Sequence, residues 1–281
     1  MLRAFTAAAA VLVAAVAGVA FAAGEAEHPE DHPFSFESPV GSYDMGSVQR
    51  GFQVYQQVCA TCHGMSHLAY RHLGEEGGPF AVYRVRNHET GEEELHVGKP
   101  AHGGAFVDVV DNPYVRAIAE GVTIVDTDPN SGQPTERPGR ISDYFRNPFP
   151  NEIAARASNG GAYPPDLSVI TSARHGGADY IRSLLIGYTG ETHGTLHGNR
   201  YFPGGLIAMP PPLAEGAVAY ADGTPTTVTQ YATDVSTFLQ WAADPHMEER
   251  KRTGIVVLAF LLALSVLLYL AYKQVWRNET H

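Results

Sequence analysis

Two thiols three residues apart with an imidazole directly behind them, Cys59, Cys62 and His63, form the one pattern in this chain that by itself specifies a chemistry. Each thiol can add to one vinyl group of a haem as a thioether, and the histidine held beside the ring can then give an axial nitrogen to the iron. Zinc and dithiol redox chemistry also use Cys-x-x-Cys. A closed zinc site wants four Cys or His ligands, and these are the only two cysteines among 281 residues. The motif is therefore read as the attachment site of one covalently bound haem c.

A second axial ligand decides whether such a haem carries electrons or binds substrates and gases at an open position. The chain has five methionines. Met1 falls in a leader, Met65 is too near His63 in sequence to reach the opposite haem face, Met45 precedes the helix that leads to the motif, and Met247 abuts an apolar C-terminal run. Met209 lies after a Gly204-Gly205 turn and before Pro210, Pro211 and Pro212, whose fixed φ angles stiffen the backbone that would present it. It is the favoured sixth ligand, with a histidine between positions 67 and 197 as the rival. A haem enzyme or gas sensor with an open sixth position is the alternative.

The elements that must position these groups are helices. Ser47 is expected to cap a helix running toward Cys59, with Val48, Phe52 and Tyr55 at helical spacing. Pro113 opens a short helix to Ala119, a third runs over 152–157, and 178–186 carries Tyr180, Ile181, Leu184 and Leu185 on one core-facing side. The clearest periodicity spans 227–243. Strand patterns are weak throughout.

Both ends point to a membrane. Residues 1–23 read as a cleaved signal peptide, with Arg3, an apolar run and an Ala20-Phe21-Ala22 cleavage signal. Residues 255–272 are uncharged and apolar, about 27 Å as a helix against the roughly 30 Å of a hydrocarbon core. Arg250, Lys251 and Arg252 before the run, and Lys273, Trp276 and Arg277 after it, match interfacial anchors. The expected organisation is a periplasmic haem domain over 24–247 and a segment over 248–281 that crosses a bacterial inner membrane once and ends in a short cytoplasmic tail. Residues 24–247 hold 27 acidic and 13 basic side chains, a net charge of −14. That balance excludes a nucleic-acid partner and favours a basic protein partner.

Along nearly its whole mature length the chain resembles cytochrome c1, the haem-bearing subunit of the cytochrome bc1 complex. The residues that carry the likeness are Phe34 to Glu37, Arg50 to Tyr55 ahead of the haem motif, Pro164-Pro165-Asp166-Leu167, and Ala173 to Gly177. Tyr180, Met209 to Leu213, Asp222 to Pro225 and Phe238 to Ala243 complete the set, in that order ahead of one C-terminal anchor. The resemblance implies a mainly α fold: an enlarged class I cytochrome c-type domain with long loop insertions, plus one C-terminal transmembrane helix. In it the helix before the haem motif crosses the last soluble helix. It also implies His63 and Met209 as iron ligands, Cys59 and Cys62 as thioether anchors, Arg174 on a propionate, and Asn159, Pro165, Tyr180 and Leu184 near the ring or its propionates. Its expected role is to take one electron from a Rieske iron-sulfur protein and pass it to a soluble or tethered cytochrome c. Cytochrome b completes a dimeric quinol:cytochrome c oxidoreductase, of which this chain alone would not be a complete enzyme; a stand-alone tethered cytochrome c shares the same motifs. Some bacterial relatives carry an extra cysteine pair around the Met ligand, which this chain lacks. The insertion at about 75–150 is the part least anchored by the likeness.

Overall fold

The structure is a computed structural model that describes residues 26–278 apart from 88, 99, 101 and 102. The signal-peptide expectation for 1–23 lies outside the described residues. In chain order the elements are α1 (Met45–Gln57), β1 (Val82–Arg86), β2 (Glu93–Val97), β3 (Ala105–Phe106), α2 (Pro113–Glu120), β4 (Thr123–Thr127), β5 (Pro134–Pro138) and α3 (Glu152–Ser158). There follow α4 (Gly177–Ile186), β6 (Tyr188–His193), β7 (Leu196–Asn199), β8 (Leu206–Ile207), α5 (Val228–Ala243) and α6 (Met247–Val275).

The centre of the fold is the crossing of α1 on α5. Gly51 sits at the point of closest approach: a Cβ there would lie 2.0 Å from the carbonyl oxygen of Asp234 and 2.7 Å from Cβ of Phe238. Around that contact Phe52 and Tyr55 meet the Phe238 ring, each with centroids 5.7 Å apart, and Val48, Val54, Tyr231, Val235 and Trp241 are fully buried. A polar cluster is enclosed with them. The wholly buried Asp234 accepts from Ser47 Oγ (2.6 Å), Arg50 Nε (3.0 Å) and Gln230 Nε2 (3.1 Å), and Arg50 also reaches Asp222 at 2.8 Å. A buried carboxylate is tolerable only when its lone pairs are used in this way.

Asp44, rather than the expected Ser47, caps α1, accepting from the amides of Gly46 and Ser47. Ser47 lies one turn in, and its hydroxyl is taken by Asp234 instead. Asn112 caps α2 with Pro113 at its first position, Asn151 caps α3 and Thr227 caps α5, in keeping with the preference of these residues for helix starts. On α4 the buried positions are Ala178, Ile181, Arg182 and Ser183, so the expected core face is rotated. Arg182 takes the inward place because Thr233 and Glu30 receive its guanidinium, which leaves Tyr180, Leu184 and Leu185 only half-buried.

The expected mainly α class is met only in part, because the six helices share the described residues with eight strands in three small antiparallel sheets, ordered β2-β1-β3, β4-β5 and β6-β7-β8. The first two sheets and α2 occupy the insertion at 75–150. Strand β2 is exposed along its whole length and β4, β5 and β6 nearly so. Strands that bury neither face carry no apolar alternation, which is why their sequence reads as loop.

Helix α6 is the one helix among the described residues long and apolar enough to cross a membrane. At 29 residues it measures about 43 Å, and its first turn belongs to the soluble domain. Met247 is core, Glu248 accepts from the Tyr43 amide (2.9 Å), and Lys251 donates to the carbonyls of Phe36 and Ser38. The Tyr43 hydroxyl donates to the carbonyl of Asp244 (3.0 Å) at the preceding helix end.

Substituting Gly51→Ala should destabilise the protein by about 1–3 kcal/mol, because the clash is with backbone that cannot rotate away. Denaturant unfolding of the detergent-extracted chain measures it; an unchanged midpoint would remove the close crossing.

Candidate haem site

Helix α1 ends at Gln57, and the chain tightens into a single 3-10 turn, Cys59–Thr61. Thr61 Oγ1 donates to the Val58 carbonyl at 2.7 Å, and the amides of Cys62 and His63 both donate to the Cys59 carbonyl (3.1 and 2.8 Å). Side chains three residues apart eclipse in a 3-10 turn, so the two thiols stand on one side of it. Burial pushes the Cys59 thiol up to about 12.

The imidazole of His63 is oriented from the opposite strap of chain. Its Nδ1 lies 2.8 Å from the Pro165 carbonyl oxygen, which can only accept, so Nδ1 carries the proton and Nε2 keeps its lone pair. Burial lowers the imidazolium's pKa from its ordinary 6.5, against the smaller opposing pull of the Pro165 bond and the Asp166 charge, which favours the neutral ligating form. The strap is fastened on both sides of Pro165. Leu167 N–H donates to the Gly64 carbonyl (2.9 Å), the Ser66 and Ser168 amides donate to the two oxygens of Asp166 (2.8 Å each), and His67 N–H donates to Ser168 Oγ (3.1 Å). Tyr55 of α1 closes the arrangement by donating to the His63 carbonyl at 3.2 Å.

The methionines sort by burial. Met65 and Met247 are enclosed in the apolar core and Met45 packs against it, whereas Met209 stands half-buried in the loop after β8. That loop is tied to α4. Asn199 of β7 donates through Nδ2 to the Leu184 carbonyl (2.8 Å) and through its amide to the Gly205 carbonyl (2.8 Å), while His197 and Gly198 pair with Ile207 and Leu206. Tyr188, at the head of β6, donates from its hydroxyl to the Met209 carbonyl at 3.0 Å. Tyr180 and Leu184 lie one turn apart on α4, half-buried. Burial raises the Tyr180 phenol and the Arg174 charge partly offsets it, which makes that exposed guanidinium an electrostatic neighbour of the ring.

Thus the structure joins Cys59, Cys62, His63 and Pro165 in one group, sets Arg174 beside Tyr180 on α4, and ties the Met209 loop to α4 through Asn199 and the Leu184 carbonyl. Asn159 sits apart from both sets of bonds as the C-cap of α3, with its Nδ2 donating to the Ala155 carbonyl (2.7 Å). The two groups are carried by α1 and α4, which both pack on α5. Sequence reading missed Asp166 as the fastener of the strap and Tyr188 as the tether of the Met209 loop. For Asp166 a signal was present, since Asp followed two residues later by Ser is a common side-chain-to-backbone turn. The tyrosine had none.

Two thiols on one turn, an imidazole whose Nε2 is left unprotonated, and a helix able to cross a bilayer define a membrane-anchored c-type haem protein, and the donor set fits that group. A family model described as the Cytochrome C1 family matches residues 34–279, and the chain belongs to that family, which binds haem c. It is 43% identical over 260 residues to the Solanum tuberosum protein "Cytochrome c1-2, heme protein, mitochondrial", covering 90% of this chain and 87% of that one. A Candida albicans protein named "Cytochrome b-c1 complex catalytic subunit, mitochondrial" is 40% identical over 246 residues, with 85% and 74% covered. Against "Cytochrome b/c1" of Bradyrhizobium diazoefficiens the identity is 41% over 278 residues, 90% of this chain, but the chain spans only 36% of that protein's length.

Burial pushes the Asp166 carboxyl up, but the hydrogen bonds from Ser168 and Ser66 outweigh it and hold the group below its ordinary 3.8. A depressed folded value means that its contribution to stability is complete above that ordinary value and is lost as pH falls through the lower, folded one. Acid titration of the unfolding free energy should therefore show a limb below pH 3.8 that Asp166→Asn lacks. Identical acid limbs would detach Asp166 from the strap.

Proposed function

We propose that this chain is the one-electron carrier of a bc1-type complex. Bound haem would supply a ferric/ferrous couple through its iron. Cys59 and Cys62 would attach it as thioethers, and His63 Nε2 and the soft thioether of Met209 would ligate its iron, the latter favouring the ferrous state and raising the potential. Arg174 would compensate a propionate charge, with Pro165, Tyr180 and Leu184 near the ring or its propionates and Asn159 approaching them from the end of α3. The observation that carries this reading is the His63 Nδ1 bond to the Pro165 carbonyl, because it fixes the tautomer an axial histidine needs.

On this reading the donor is a Rieske iron-sulfur protein, the acceptor is a soluble or tethered cytochrome c, and cytochrome b is the membrane partner within a dimeric complex. The haem domain faces the periplasm and the tail after α6 faces the cytoplasm of a bacterium, an orientation supported by the leader-like first 23 residues. No proton transfer to substrate is required of the protein. What its side chains do is bind, orient and exclude water, while the −14 net charge of residues 24–247 attracts a basic acceptor.

Met209→Leu should lower the midpoint potential and open the ferrous haem to carbon monoxide; a redox titration showing the parental potential would take Met209 out of the site. Electron transfer to a basic cytochrome c should slow steeply as ionic strength rises, and a salt-independent rate constant in stopped-flow would return the acidic surface to a purely solvating role.

A further inference from the structure

The Met209 segment has an unusual backbone problem. Pro210, Pro211 and Pro212 offer no N–H, so the chain just after Met209 cannot fasten itself by donating to a neighbouring strand. On the other side the β7–β8 ladder stops at Ile207, two residues short. There is no disulfide to help, since both cysteines are in the haem motif. The bonds that its carbonyls accept therefore matter alongside packing and proline stiffness, and one that reaches Met209 itself comes from Tyr188.

The geometry of Tyr188 suits that task. Its hydroxyl lies 3.0 Å from the Met209 carbonyl oxygen and 3.4 Å from that of Pro210, spanning the segment on which the thioether stands. Its own backbone is fixed twice over: it follows α4 by one residue, and it pairs with Asn199, whose side chain is bonded to the α4 carbonyl of Leu184. The ring is half-buried.

We infer that Tyr188 is a positioning residue for the sixth ligand: by bonding the Met209 carbonyl it holds the thioether at the iron, in place of the covalent brace that this chain lacks. This rests on the reading of Met209 as an axial ligand. It assigns Tyr188 no contact with the haem and no part in electron transfer other than through Met209. Losing one such bond shifts an equilibrium roughly two- to tenfold, enough to populate a thioether-detached form without unfolding the domain.

The test compares Tyr188→Phe with Met209→Leu in the full-length chain, extracted with its complex. Tyr188→Phe keeps the ring and removes only the donor. It should lower the midpoint potential and raise carbon monoxide binding by the ferrous haem roughly two- to tenfold, in the same direction as Met209→Leu but by less. If Met209→Leu shifts both readouts and Tyr188→Phe shifts neither, the inference is overturned and the ligand reading stands, even where Tyr188→Phe lowers the melting temperature. If Met209→Leu shifts neither, the ligand reading fails and takes the inference with it. Should Tyr188→Phe not accumulate, the parental protein decides. Met209-Pro210 is the only Met-Pro pair in the chain, so carbonyl-13C methionine with 15N proline singles out that one amide by NMR. A carbonyl shift displaced in the hydrogen-bonded direction supports the tether, and the shift of a free tertiary amide overturns it.

Discussion

The close approach of α1 and α5 at Gly51 is the constraint on which the rest of the molecule hangs. With no side chain there, the α1 backbone comes within reach of the Asp234 carbonyl, and only at that separation do Phe52 and Tyr55 meet Phe238 while Ser47 and Arg50 meet the Asp234 carboxylate. The apolar and polar contacts therefore share one distance. A wider crossing would loosen the aromatic packing and leave a buried carboxylate short of donors, so two large costs enforce the same geometry. Because α1 runs directly into the turn of Cys59–Thr61, that geometry also decides where the haem motif stands.

From this crossing the site is built in two halves that use different physics. The His63 half is held by a dense set of short bonds around a strap, with Asp166 taking amides from both segments and Gly64 accepting from Leu167. It is stiff because nearly every backbone group near the histidine has a partner. The Met209 half depends on a strand register, a proline run and one phenol, and each of these constrains backbone position rather than the side chain itself. Tyr180 and Leu184, half-buried beside the inward Arg182, lie on the helix to which the Met209 loop is tied.

Much of the site was legible because its parts are local in sequence: Cys59, Cys62 and His63 are contiguous, and Met209 is marked by flanking glycines and prolines. The capped helices were legible for the same reason, as were Asn112-Pro113 and the long period of α5. What escaped was set by partners far along the chain. Ser47 looked like a cap until Asp234, 187 residues away, claimed its hydroxyl. Arg182 turned inward because Glu30 and Thr233 were waiting for it, and the apolar stripe of α4 rotated to suit. Strands β2, β4, β5 and β6 hid because they are solvated on both faces and leave no periodic trace, and β3 and β8 are only two residues long. Tyr188 is the same case at the site itself, an aromatic whose use lies in one atom and one distant carbonyl.

The junction between the haem domain and α6 contains no linker. Helix α6 begins four residues after α5 ends, its first residue is core, and Glu248 and Lys251 are bonded to the chain between Phe36 and Tyr43. A joint of that kind acts as a lever. Helices accommodate a bilayer thinner than themselves by leaning over, and here the lean cannot be absorbed at the surface. It is carried into the domain, whose orientation to the bilayer therefore follows the tilt of α6.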